Sequence, residues 1–212
     1  CDAVIAAAKA GKHVICQKPL ARSLPECEQM IAAAKDAGII LYYAEMGRTN
    51  PGTVATRDTV KAGKIGQLIG LQCTFAYWQG GEYMGTAWRY DPKVAGGGQL
   101  LDSAIHPLAF MREVGGDVES VACFTTRVRP ELGGDDTSSL SLRFKNGALG
   151  TLYSTQAAAL WYPPPNYAVF GTEGIIALGG RPFSATLYLK SSPDHPESLK
   201  IETRNAFQAM IW

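Results

Sequence analysis

Two short stretches hold three side chains of the kind that move protons and charge. Gly11 to Pro19 reads Gly-Lys-His-Val-Ile-Cys-Gln-Lys-Pro, and Gly96 to His106 reads Gly-Gly-Gly-Gln-Leu-Leu-Asp-Ser-Ala-Ile-His. In the first, a glycine helix stop and the apolar run Val14 to Cys16 predict a short buried strand. Lys18 then stands at the strand's C-terminal tip, where open α/β sheets place ligands. In the second, the glycine run predicts a turn opening a helix from Gly98 to Val114, with Asp102 and His106 one turn apart on one face. A positioned ammonium, carboxylate and imidazole are what proton and hydride transfer at a carbinol carbon require.

In that reading His106 is the general base, imidazole being the side chain that exchanges protons near neutral pH. It takes the proton of a substrate hydroxyl as the carbon beneath releases hydride, and returns it in the reverse direction. Asp102 contacts either the imidazole or a second hydroxyl, and its anion suits the start of a helix. Lys18, stiffened by Pro19, directs its ammonium at the reacting oxygen. Alone, an Asp-x-x-x-His pair is more often a cap or a surface pair; the glycine run before it and the company of Lys18 give it weight. The other histidines, His13 and His195, lie in the first motif and in a Pro- and Ser-rich loop, so no metal site is predicted. No Gly-x-Ser-x-Gly occurs. Cys1, Cys16, Cys27, Cys73 and Cys123, an odd number at wide spacings, read as buried thiols.

The elements that must position these groups alternate at first. A helix Asp2 to Ala10 ends at Gly11, Ser23 and Glu26 make a capping box for the next helix, Gly38 stops it, and Ile39 to Ala44 is an apolar strand covered on both faces. After Glu45 the pattern changes. Asn50-Pro51 starts a helix through Lys61, and Gln67 to Trp78 is a long strand followed by an irregular loop to Ala95. Beyond the motif helix, Val118 to Val128, Thr137 to Phe144, Ala148 to Gln156 and Tyr167 to Phe170 read as strands, with an Asn146-Gly147 hairpin turn. The fold class is therefore α/β: the C-terminal part of a doubly wound Rossmann sheet, then an α+β domain with a large, mostly antiparallel, open-faced sheet. The expected division is 1–45 and 46–212.

Both stretches resemble the Gfo/Idh/MocA family of nicotinamide-dependent sugar and polyol oxidoreductases. Its first motif runs Ala-Gly-Lys-His-Val-Leu-Cys-Glu-Lys-Pro, and its second has a glycine pair, then Asp, then His four residues on. Trp88-Arg89 and Gly171-Thr172-Glu173-Gly174 stand in the same order as in family members. Gln17 replaces the family's usual Glu, and Met46 stands where an Asn often follows the sixth strand. The resemblance implies NAD or NADP as cofactor, with Gln17, Lys18, Trp88 and Arg89 near it and Lys18 touching both substrate and nicotinamide ribose. It further implies a sugar, polyol or cyclitol substrate and a homo-dimer or homo-tetramer formed through the open sheet face. An NAD-dependent glycosidase and a non-catalytic nucleotide-binding regulator of the same architecture are the alternatives. Tyr77, Tyr83, Tyr90 and Tyr153 are candidate sugar-facing aromatics, and with Glu absent at position 17 the charge around Lys18 is expected to be altered.

The family's Gly-x-Gly-x-x-Gly turn, which holds the pyrophosphate, does not occur in these 212 residues. The chain is expected to be a fragment lacking the first half of the dinucleotide domain and some of the C-terminus, where Phe207 to Trp212 reads as an interrupted helix. Formal charge is +1, from 20 basic and 19 acidic residues without blocks, so neither nucleic acid nor a membrane surface is an expected partner. Apolar runs fall short of the roughly 20 residues of a spanning helix, and a cytoplasmic location is expected.

Overall fold

The computed structural model describes residues 1–78, 88, 91–163, 165–179 and 184–201. The chain opens with α1 (Asp2–Lys9), β1 (Val14–Gln17), α2 (Leu24–Asp36) and β2 (Leu41–Ala44). Gly11 and Gly38, at φ +68° and +64°, take the left-handed turn that ends each helix. Ser23 caps α2 by accepting the Glu26 N–H. The expected capping box is only half made, because the Glu26 carboxylate turns to the guanidinium and backbone N–H of Arg22. β1 and β2 pair in parallel from Val14–Leu41 to Gln17–Ala44, so both C-terminal tips lie at one end. Ile15 and its partner Tyr42 are exposed, which corrects the expectation of strands covered on both faces.

The second part carries α3 (Met46–Thr49), α4 (Pro51–Lys61), β3 (Leu68–Ala76), α5 (Pro92–Ala95), α6 (Gln99–Asp102) and α7 (Ile105–Gly115). Then follow β4 (Val118–Thr126), β5 (Thr137–Phe144), β6 (Leu149–Thr155), β7 (Tyr167–Gly171), β8 (Gly174–Gly179), β9 (Ser184–Leu189) and β10 (Glu197–Ser198). These strands form one eight-stranded sheet in the order β10-β9-β8-β7-β3-β6-β5-β4, in which only β3 and β6 pair in parallel. Strict alternation in β5 sends Ser138, Leu140, Leu142 and Phe144 inward and Ser139, Ser141 and Arg143 outward. Leu140, Leu142 and Phe144 join Phe110, Met111 and Val114 of α7 in the buried core. Each large apolar side chain removed from water there contributes about 1.5–3 kcal/mol.

The motif helix is not continuous. A helix running through Gly98 to Val114 would need an N–H from residue 107 to Ser103, and Pro107 has none; its ring also crowds that carbonyl. The chain breaks between Asp102 and Ile105: Ala104 N–H reaches Gln99 O and His106 N–H reaches Ser103 O. Asp102 ends α6 and His106 enters the first turn of α7, so the expected shared face does not form.

Among the described residues the sheet face away from α7 is open. Strand register aligns Phe124, Ser139, Tyr153 and Thr74 across it in one row, and places Leu149, Phe170, Ile175 and Tyr188 along others. Phe124 is 81% exposed and Tyr153 46%. All five cysteines are free, but only Cys73 is fully buried and Cys123 on the edge strand β4 is exposed, which corrects the reading of all five as buried.

Candidate active site

Gln17 and Ala44 are register partners, so the residue after each, Lys18 and Glu45, emerges at the common tip of the parallel pair. Lys18 reaches across to α6, where Nζ donates to Asp102 Oδ1 at 2.9 Å and also to the Asp102 backbone carbonyl. These bonds occupy two of the three ammonium hydrogens. α6 itself is held from outside: its cap is Gly98, which has no side chain, and Asp135 supplies the missing acceptors. The Asp135 carbonyl takes the Gln99 N–H at 2.7 Å, and Oδ2 takes the Leu100 N–H at 2.9 Å. A Cβ at Gly98 would lie 2.2 Å from the Asp135 carbonyl oxygen, so only glycine permits this approach.

His106 bonds Glu45, not Asp102. Nδ1 lies 2.6 Å from Glu45 Oε1, and that same oxygen accepts the Gly47 N–H at 2.7 Å as the cap of α3. Glu45 is 2% exposed and its Oε2 has no hydrogen-bond partner among the described residues. A carboxylate can only accept, so Nδ1 is the ring nitrogen that donates in this bond. Burial, and then the Glu45 carboxylate, push the Tyr43 hydroxyl up to about 12.

The remaining candidates divide. Gln17 is exposed and its Oε1 accepts the Lys18 backbone N–H, so it lies off the ammonium, and the anion beside Lys18 comes from Asp102. Trp88 is 40% exposed and borders a small pocket with Pro19, Asp102 and Asp135; Arg89 lies outside the described residues, as do Tyr83, Tyr90 and Phe207 to Trp212. Tyr77 is buried and stacked on Trp161, whereas Tyr153 sits on the open sheet face, away from this region. Glu45 was not among the sequence candidates, although a carboxylate one residue past a strand tip, in the place equivalent to Lys18, was a visible signal.

His106 lines a cavity of about 430 Å³. Phe75, Phe110, Trp161 and Tyr167 give it apolar walls, and Asn50 and Asn166 add polar groups. Apolar walls with a few convergent polar groups are typical of small-molecule sites. Among the described residues no three His, Cys, Asp or Glu side chains are grouped to hold a metal ion, and no helix is long and apolar enough to cross a membrane.

A Rossmann-type parallel strand pair thus presents Lys18 to Asp102 of an α+β domain that also carries His106. Residues 53–177 match the GFO/IDH/MocA C-terminal domain, and residues 1–45 match the oxidoreductase family's NAD-binding Rossmann fold. The chain belongs to the Gfo/Idh/MocA family. It is 31% identical over 202 residues to levoglucosan dehydrogenase of Pseudarthrobacter phenanthrenivorans, covering 82% of this chain and 51% of that protein. It is 34% identical over 187 residues to myo-inositol 2-dehydrogenase of Thermotoga maritima, covering 82% and 52%. Among solved structures, levoglucosan dehydrogenase in complex with NADH and levoglucosan superposes with a TM-score of 0.84 at 28% identity, over 100% of this chain and 60% of that one. Aldose-aldose oxidoreductase from Caulobacter crescentus, complexed with glycerol, gives 0.83 at 25%, over 99% and 62%. The chain spans about half the length of the curated relatives it matches.

Proposed function

We propose that the whole protein is an NAD- or NADP-dependent oxidoreductase acting on a hydroxyl-bearing carbon of a sugar, polyol or cyclitol. The observation that carries this is the pair of carboxylate-held groups, Lys18 at one strand tip on Asp102 and His106 of α7 on Glu45 at the adjacent tip, with His106 lining a ligand-sized cavity. The residues present fit the reactive end of a nicotinamide cofactor: Lys18 keeps one ammonium hydrogen for a ligand at the sheet edge where such groups bind. Gln17 and Trp88 flank that edge in this reading. A nicotinamide, when bound, supplies the hydride acceptor or donor.

The substrate lies in the cavity with its reacting hydroxyl between Nε2 of His106 and Nζ of Lys18. His106 takes the hydroxyl proton at Nε2 during oxidation and gives it back during reduction. Lys18 stabilises negative charge on the same oxygen, and Asp102 fixes the direction of its ammonium. The division at residue 45 separates the strand-tip lysine from the domain that carries His106. The open face of the eight-stranded sheet takes a second copy of the chain, and the location is cytoplasmic.

Reduced-nicotinamide absorbance, followed with a panel of sugars, polyols and cyclitols, tests the reading in the whole protein. Replacing His106 by alanine is expected to lower kcat about a hundredfold to ten-thousandfold with cofactor affinity nearly intact. Unchanged turnover on an accepted substrate would remove His106 from the mechanism.

A further inference from the structure

We propose that Glu45 is the positioning residue for His106: it holds the ring in the Nδ1–H tautomer and so makes Nε2 the proton acceptor. The proposal rests on the reading of His106 as the base. Four observations converge on it. Glu45 Oε1 lies 2.6 Å from Nδ1, close enough for a charge-assisted hydrogen bond. Glu45 is almost wholly buried, and the oxygen facing His106 is pinned a second time by the Gly47 N–H. Asp102, the carboxylate that sequence spacing would pair with His106, is committed to Lys18. Position 47 has no room for a side chain: a Cβ there would lie 2.4 Å from the His106 carbonyl oxygen and 2.9 Å from Glu45 Oε1, so glycine is what lets α3 close on α7.

The proton balance is simple. In oxidation the substrate O–H bond breaks and its proton goes to Nε2, while a bound nicotinamide would supply the acceptor for the carbon's hydride. The Nδ1 hydrogen stays with the ring throughout, shared with Glu45. Without the carboxylate the ring can rotate or carry its hydrogen on Nε2, and a protonated Nε2 cannot accept the substrate proton.

His13 provides an internal contrast, because its Nδ1 accepts the Ile40 N–H at 2.9 Å and its hydrogen must therefore lie on Nε2. Imidazole nitrogen NMR spectra of the chain, recorded across a pH series, should show His106 in the Nδ1–H form and His13 in the opposite one wherever a neutral ring is seen. Glu45→Ala should lose the Nδ1–H signature of His106 and, in the whole protein, lower kcat about tenfold to a hundredfold with KM little changed. Glu45→Gln is the conservative control. Its amide oxygen is kept toward both Nδ1 and the Gly47 N–H, since the flipped amide would set donor against donor. It should restore the tautomer and most of the kcat lost in Glu45→Ala, an outcome that loss of packing alone does not produce. In a His106→Ala background, Glu45→Ala should cost nothing more in kcat.

A wild-type His106 in the Nε2–H form would overturn the proposal, and that spectrum needs no variant to fold. So would a Glu45→Ala loss of kcat that is as large without His106 as with it. Turnover retained by His106→Ala instead sinks the base assignment, and the ring spectrum then reports separately whether Glu45 holds the ring.

Discussion

Removing the Asp102 carboxylate probes how the two parts of the site are joined. The Lys18–Asp102 pair spans 84 residues at 2.9 Å, and its side chains are only 17% and 18% exposed. A fully exposed pair contributes about 0–1 kcal/mol, while stripping one partner from a fully buried pair costs about 3–5 kcal/mol. This pair is mostly buried, and alanine leaves the residue-102 carbonyl as an acceptor for Nζ, so Asp102→Ala should cost about 1–3 kcal/mol. Asp102→Asn, which keeps a neutral acceptor, should fall between alanine and wild type. Urea unfolding followed by tryptophan fluorescence measures the loss, and a double-mutant cycle with Lys18→Met isolates the pair. A coupling of about 1–2 kcal/mol is expected, with weak salt dependence because solvent ions screen a sheltered pair poorly. Coupling within the roughly 0.5 kcal/mol scatter of independent sites would refute the reasoning. Gln17→Glu supplies the contrast: its side chain is exposed and turned to its own backbone, so stability and the pH profile of kcat/KM should hardly move.

Isothermal titration of this chain alone with NAD and NADP should show no micromolar binding, because the chain has no Gly-x-Gly-x-x-Gly turn for the pyrophosphate; micromolar binding by these 212 residues would contradict that. Light scattering on the whole protein should give a dimer or tetramer that Phe124→Glu weakens, since a charge in the middle of an apolar contact is costly; a monomer at micromolar concentration would exclude assembly through the open sheet face. Stability should fall in alkali. Burial raises the Cys73 thiol well above its ordinary value of 9, so the unfolded chain loses that proton first; the stabilisation is complete below pH 9 and is lost above it. Tyr43 and Tyr167, both raised from 10 by burial, add to the decline at higher pH. Cys73→Ala should shallow the slope above pH 9 by about 1.4 kcal/mol per pH unit, and an unaltered slope would exclude Cys73 as its source.

Much of the chain's local structure was legible before any coordinates. Gly11 and Gly38 as helix stops, Ser23 and Asn50 as caps, and the Asn146-Gly147 turn between the strands β5 and β6 all depend on residues a few positions apart, and each acts through its own backbone. Lys18 at a strand tip followed from the same local logic. Pro107 carried an equally local signal for a helix break, but the apolar periodicity around it obscured that signal, and with it the separation of Asp102 from His106.

What tertiary structure alone decided is which carboxylate meets which base. Asp102 and His106 are four residues apart, yet each finds its partner far along the chain, at Lys18 and, across 61 residues, at Glu45. Those partners depend on the parallel register that brings Lys18 and Glu45 to one end, and on Asp135 holding α6 in place. They also depend on the bare backbone at Gly47 that admits α7. Spacing along a helix predicts neighbours only while the helix continues; once it breaks, burial and hydrogen bonding between distant elements select the pairs.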